Sequence, residues 1–127
     1  MKLIIGGYAQ GKLNYALQRY GAEGYKILEG ELAADVEGDE RARLVNHFHL
    51  WIKKRISEGG CPEKEIDAFL ERYPDCVIIS DEIGNGIVPA DASERQYRER
   101  TGRILVELAN RAEEVVHVIC GIGQKIK

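Results

Sequence analysis

Lys2-Leu3-Ile4-Ile5-Gly6-Gly7-Tyr8-Ala9-Gln10-Gly11-Lys12 is the stretch whose reading decides the fold. A short apolar run breaks into a glycine pair, and Gly11-Lys12 follows at the spacing G-x-x-x-x-G-K counted from Gly6. A buried strand, a glycine-rich turn and a helix are the context in which that spacing forms a phosphate-binding loop, or P-loop. Glycines let successive backbone N–H groups turn inward on phosphate oxygens. A helix opening at Gly11 adds its positive end, and Lys12 adds a mobile cation. Gly6, Gly7, Tyr8, Ala9, Gln10, Gly11, Lys12 and Leu13 are thus the candidate nucleotide-binding residues. Leu13 stands where such loops carry the Ser or Thr that holds Mg²⁺.

Working outward, Leu13, Ala16, Leu17 and Tyr20 recur at i, i+3, i+4, i+7 and predict a helix ended by Gly21 and Gly24. Leu13 is then the first residue of its buried stripe. Tyr25-Lys-Ile-Leu28 reads as a brief strand leading into Glu29 and an acidic, small-residue run to Asp35. From Glu40 to Ser57, Leu44, Val45, Phe48, Trp51, Ile52 and Ile56 predict one amphipathic helix, with His47 and His49 at its margins. Pro62 opens another, with Ile66, Phe69, Leu70 and Tyr73 on one face and Pro74 as its stop. Cys76-Val-Ile-Ile79 is a buried strand running into Ser80-Asp81-Glu82. Gly84, Gly86 and Pro89 shape the loop after it. Ser93 with Gln96 makes a capping-box pattern at the head of a long helix through Ala112. Val115–Cys120 is the last clear strand, with His117 in its core, and Gly121–Lys127 is a tail.

Apolar strands alternating with helices predict an α/β fold: a three-layer, P-loop-type parallel sheet of about four or five strands with helices on both faces. The chain of 127 residues is read as one domain, 1–127. In such sheets ligands bind at the carboxyl ends of the strands, which gathers the glycine loop, Glu29, Asp81-Glu82 and the Gly121 tail at one edge. An acid at the end of a strand beside a P-loop holds Mg²⁺ directly or through water. Asp81, Glu82 and Glu29 are the candidate metal ligands, and Lys12 and Glu82 the candidate catalytic residues. His47 and His49, two apart, cannot clamp a metal as an i, i+4 pair does.

The net charge of −3 gives no positive field for nucleic acid or an anionic membrane. The longest apolar runs fall far short of a membrane span. Three cysteines, odd in number and without C-x-x-C spacing, suggest reduced thiols and a cytoplasmic protein.

Asp81-Glu-Ile-Gly-Asn-Gly-Ile-Val-Pro89, Tyr97-Arg-Glu-Arg-Thr-Gly-Arg103, Ala112-Glu-Glu-Val and Gly121-Ile-Gly-Gln-Lys-Ile-Lys127 resemble the bifunctional adenosylcobinamide kinase/adenosylcobinamide-phosphate guanylyltransferase family. That family also opens with a strand and a G-G-x-x-x-G-K loop. The resemblance implies an enzyme of cobalamin biosynthesis that phosphorylates a corrinoid alcohol with ATP or GTP and Mg²⁺. It also implies self-association into a homo-oligomer, and GMP transfer through a guanylylated histidine. The chain is shorter than the family's usual length, and no R-I-x-x-H-x-x-x-R-P segment is present. Arg43-Leu-Val-Asn-His47 matches only its start, which makes His47 the nearest candidate for the guanylyl acceptor. A second alignment, which we prefer, sets Lys26–Glu29 on the family's next strand and deletes the histidine segment. Leu13 replaces the family's serine, and Leu105 stands where asparagine is usual. The expected function is a cobinamide kinase with guanylyltransferase activity weak or absent. The alternatives are a non-catalytic nucleotide-binding regulatory module, or a fully bifunctional enzyme using His47.

Overall fold

The computed structural model describes residues 1–21, 24–32, 37–83 and 91–127. Its order is β1 (Lys2–Gly6), α1 (Lys12–Arg19), β2 (Lys26–Glu29), β3 (Arg43–Asn46), α2 (Phe48–Ser57) and α3 (Pro62–Arg72). Then come β4 (Val77–Asp81), α4 (Ala92–Arg111), β5 (Glu114–Ile119) and β6 (Ile122–Lys125). The strands form a six-stranded sheet in the order β2-β3-β4-β1-β5-β6, parallel except for the antiparallel β5–β6 pair. The α/β reading holds, with five parallel strands. The tail adds a sixth that the sequence had not shown.

Successive residues of a strand face opposite ways, and this sheet buries both faces. Leu3, Leu28, Val45, Ile78 and Val115 pack against Phe48, Trp51 and Ile52 of α2, Ile66, Phe69 and Leu70 of α3, and Tyr97, Ile104 and Leu108 of α4. Ile4, Leu44, Val77, Ile79, Val116 and Val118 face α1 through Ala16, with Leu13, Leu17 and Tyr20 around it. Helices therefore cover both faces. Leu13 belongs to the α1 packing, as its place in the apolar stripe predicts.

The helix expected from Glu40 to Ser57 is two elements. Arg43–Asn46 is a strand buried at every position, and the helix starts only at Phe48. His47 separates them in a left-handed conformation, φ 54° and ψ 45°. Leu44 and Val45 lie at helical spacing from Phe48, so periodicity alone could not split the run; a short apolar stretch fits either element. At β3's other end the fully buried Arg43 guanidinium contacts the Arg41 and Asp39 carbonyls and lies 4.6 Å from the centre of the Tyr73 ring.

The cap of α4 also differs from expectation. Asp91, not Ser93, caps it, accepting from the Ser93 and Glu94 N–H groups at 2.7 and 3.4 Å. The side chain two residues upstream reaches orphan amides that a Ser93 cap would have left inside the helix. Cys76 is buried and behaves as a small hydrophobe, its thiol pushed up to about 12 by burial. Cys120, expected in an apolar strand, is exposed in the β5–β6 turn. The expected loop features Gly84, Gly86 and Pro89, and Asp35 of the acidic run, lie outside the described residues. No helix among the described residues is long and apolar enough to cross a membrane.

Candidate functional site

The glycine loop grows out of β1, the strand between β4 and β5, and register fixes what surrounds it. Gly6 sits opposite Asp81 on one side and Val118 on the other. A Cβ on Gly6 would stand 2.5 Å from the Val118 carbonyl oxygen, so only glycine lets β1 approach β5 there. Gly11 has φ 83°, and no side chain caps the first turn of α1. Its free amides and the positive end of the helix dipole therefore face the loop.

Gln10 ties the loop to the β5–β6 turn. Its Oε1 accepts from the Cys120 N–H at 2.8 Å, and its carbonyl accepts from the Gly121 N–H at 2.7 Å. Cys120 and Gly121 both have positive φ, 50° and 75°, between the paired residues Ile119 and Ile122. That is the two-residue hairpin whose twist matches the strands. Gly121 is the one turn-forming residue of the pair, and Cys120 in place of the usual Asn, Asp or Gly hides the hairpin from a reading of the sequence. Tyr8, by contrast, is 83% exposed and projects away from the protein.

Lys12, at the start of α1, is 8% exposed. Its Nζ donates to the Gly7 carbonyl at 2.6 Å and lies 2.7 Å from Asp81 Oδ1. Asp81 shares its strand face with Val77 and Ile79, the face that α1 covers, and this alternation brings the two together. The other Asp81 oxygen lies 3.4 Å from His49 Nε2, while the Asp81 N–H donates to His49 Nδ1 at 3.1 Å. An Nδ1 that accepts leaves the ring proton on Nε2, where it points at the carboxylate. Burial lowers the His49 pKa, consistent with a neutral ring. The Tyr97 hydroxyl donates to the His49 carbonyl at 3.1 Å and anchors that turn of α2 to α4.

Glu82 turns away from Asp81, as the next residue along a strand direction must. Its Oε1 lies 3.0 Å from His117 Nε2. His117 is therefore a half-buried partner of Glu82 rather than a core residue, with 23% of its side chain exposed. Glu29, at the end of β2, lies two strands from Asp81. It accepts from Asn46 Nδ2, and its Oε2 is 2.7 Å from His47 Nδ1. Partial burial pushes the Glu29 pKa up, but the His47 and Asn46 hydrogen bonds outweigh it and the net shift is downward. All these residues lie at the carboxyl edge of the sheet, as their places at strand ends predict. They divide into three groups: Lys12–Asp81–His49, Glu82–His117, and Glu29–His47–Asn46. The sequence alone pairs neither His49 nor His117 with a carboxylate, since nothing local shows which one each would meet.

Among the described residues no three His, Cys, Asp or Glu groups gather as a metal set. Both oxygens of Asp81 already face Lys12 and His49. This donor set does not suit a metal held by protein alone. It does suit Mg²⁺ that arrives on nucleotide phosphates and takes one or two carboxylate contacts, as Mg²⁺ ordinarily does. Chemically, the edge offers backbone amides and a lysine for phosphate oxygens, and an acid beside them.

Comparison with known proteins adds to this geometry. The chain is similar to the bifunctional adenosylcobalamin biosynthesis proteins CobU of Salmonella typhimurium and of Escherichia coli. It is 45% identical to each over 51 residues, covering 40% of this chain. The aligned part spans only 28% of the length of either relative. Residues 21–126 match the family described as cobinamide kinase / cobinamide phosphate guanyltransferase, CobU, and the chain belongs to that family.

Proposed function

We propose that residues 1–127 form one P-loop nucleotide-binding domain that transfers the terminal phosphate of GTP or ATP to the hydroxyl of a cobinamide. The observation that carries this reading is Lys12, withdrawn from solvent at the foot of the glycine loop and held between Gly7 and Asp81. Family membership supports the corrinoid acceptor. Phosphoryl transfer asks mainly for positioning and charge neutralisation. The loop amides and the α1 N-terminus cradle the phosphates. Lys12 leaves Asp81 to meet the outer oxygens, and Asp81, still oriented by His49, is freed to face the metal. Mg²⁺ on the nucleotide, met by Asp81 and, on this reading, Glu82, would neutralise charge that Leu13 cannot help to place.

Calorimetric titration of GTP and ATP, with Mg²⁺ and with chelator, followed by γ-label transfer to cobinamide, tests this. Mg²⁺ should strengthen binding, and Lys12→Ala should lower transfer by about 100-fold or more. Tight nucleotide binding with no transfer would identify a regulatory module instead. Unchanged transfer by Lys12→Ala would end the kinase reading.

A second reading keeps the guanylyltransferase step, and one observation favours it: His47 is exposed and oriented by a carboxylate. α-Labelled GTP should then leave label on the protein, and His47→Asn should abolish it. Without such label the guanylyltransferase half is weak or absent.

A further inference from the structure

His47 is, with Ala9 and Cys120, one of three non-glycine residues among those described whose backbone is left-handed, and the only one of the three with an imidazole. It sits between β3 and α2 at φ 54° and ψ 45°, a region in which a residue with a Cβ is costly and which clusters at functional sites. The turn sets its ring at the rim of the sheet with 44% of the side chain exposed and Nδ1 2.7 Å from Glu29 Oε2. Asn46 fills the other Glu29 oxygen. An ionised carboxylate only accepts, so the proton lies on Nδ1 and Nε2 carries the free lone pair. Among the described residues nothing bonds to Nε2. A carboxylate behind an imidazole with an open Nε2 is the arrangement that makes histidine a base.

Its position suits one step in particular. The His47 ring centre is 6.0 Å from that of His49, which contacts Asp81, which contacts Lys12. In the sheet β3 and β1 are separated only by β4, so their ends stand roughly 10 Å apart at about 4.8 Å per strand. A lysine-to-phosphate hydrogen bond, an attack distance of about 3 Å and a hydrogen bond to a base together span about the same length.

We infer that His47, oriented by Glu29, is the catalytic base that takes the proton from the acceptor hydroxyl as that oxygen attacks the terminal phosphate. This rests on the phosphotransferase reading above and adds a residue to it. The acceptor O–H bond breaks, its proton passes to Nε2, and the oxygen forms the new P–O bond. The bond from that phosphorus to the nucleoside diphosphate breaks, and the diphosphate leaves with the electron pair. Glu29 balances the imidazolium until it returns its proton to water.

The test compares wild type, His47→Gly, His47→Asn and Glu29→Gln in transfer of γ-label from GTP or ATP to cobinamide, with nucleotide binding followed by calorimetry. Glycine accepts the left-handed backbone, so His47→Gly should fold as the wild type does, and its thermal unfolding checks this. The inference expects His47→Gly and His47→Asn to lower kcat by roughly 100-fold or more, with nucleotide affinity within about 3-fold. Added imidazole should restore His47→Gly but not His47→Asn, which has no cavity to fill. Glu29→Gln should fall by about 10-fold without loss of nucleotide binding. Wild-type kcat in His47→Gly would overturn the inference and leave the phosphotransferase intact, as would a loss that imidazole does not restore. Label from α-labelled GTP on His47, with γ-transfer unchanged in its variants, would assign the ring to the guanylyl step instead. No γ-transfer by the wild type would overturn the inference and the reading beneath it together.

Discussion

The Lys12–Asp81 contact invites a double-mutant cycle. At 2.7 Å, with side chains 8% and 16% exposed, it is a largely desolvated ion pair. Lys12→Met keeps the apolar stem of the side chain and removes the ammonium, which leaves the Asp81 carboxylate, among the described residues, only the His49 Nε2–H at 3.4 Å. Asp81→Asn removes the negative charge and leaves the Lys12 ammonium only neutral amide oxygens to donate to among the described residues, that of Gly7 and that of the substituted side chain. Removing one partner of a fully buried pair costs about 3–5 kcal/mol. Residual exposure and the remaining hydrogen bonds reduce this, and each single change should cost about 2–3 kcal/mol. The double variant carries neither stranded charge and should cost about the same as one single, a coupling of about 2 kcal/mol. Urea unfolding followed through the buried Trp51 measures all four corners. A chain of this length shifts by roughly 4 °C in Tm per kcal/mol, so each single should melt about 10 °C lower. Coupling below about 0.5 kcal/mol would show that the two charges do not sense each other. It would also refute the view that nucleotide phosphates compete with Asp81 for Lys12.

Gly6→Ala sets a Cβ 2.5 Å from the Val118 carbonyl; it should cost about 2 kcal/mol or more through forced separation of β1 and β5, and an unfolding midpoint equal to wild type would refute the contact. Gln10→Ala removes the side-chain bond to the Cys120 N–H while keeping the backbone bond to Gly121. It should cost about 1 kcal/mol of stability, and nucleotide titration should show a several-fold loss of affinity as the loop loosens. Glu63 accepts from Arg100 and ties α3 to α4, a contact that lowers its pKa below 4.5. Its contribution is therefore complete above the unfolded carboxylate pKa and is lost as pH falls through the lower folded value. Tm should fall as pH drops through and below the ordinary glutamate range, and Glu63→Gln should flatten that part of the profile.

The sequence by itself determined the parts whose signals are local. The apolar run into Gly6-Gly7 and Gly11-Lys12 specified β1, the loop and α1. The stripes of α1 and α3 specified which faces would be buried, and the rule that strand ends carry ligands placed Asp81, Glu82 and Glu29 on one edge. Tertiary structure decided the rest, wherever a local pattern fitted two outcomes. Arg43–Asn46 became a strand because β2 and β4 offered hydrogen bonds on both sides, a gain that helical periodicity cannot register. The tail became β6 because Cys120 and Gly121 turn it back along β5. Pairing at the edge was likewise a matter of register and strand parity. Asp81 faces α1 and so meets Lys12, Glu82 faces away and meets His117, and Glu29 is drawn to His47 because β2 and β3 are neighbours. Residue types and spacing name the groups that carry charge; only the packed sheet sets the few ångströms that decide which of them act together.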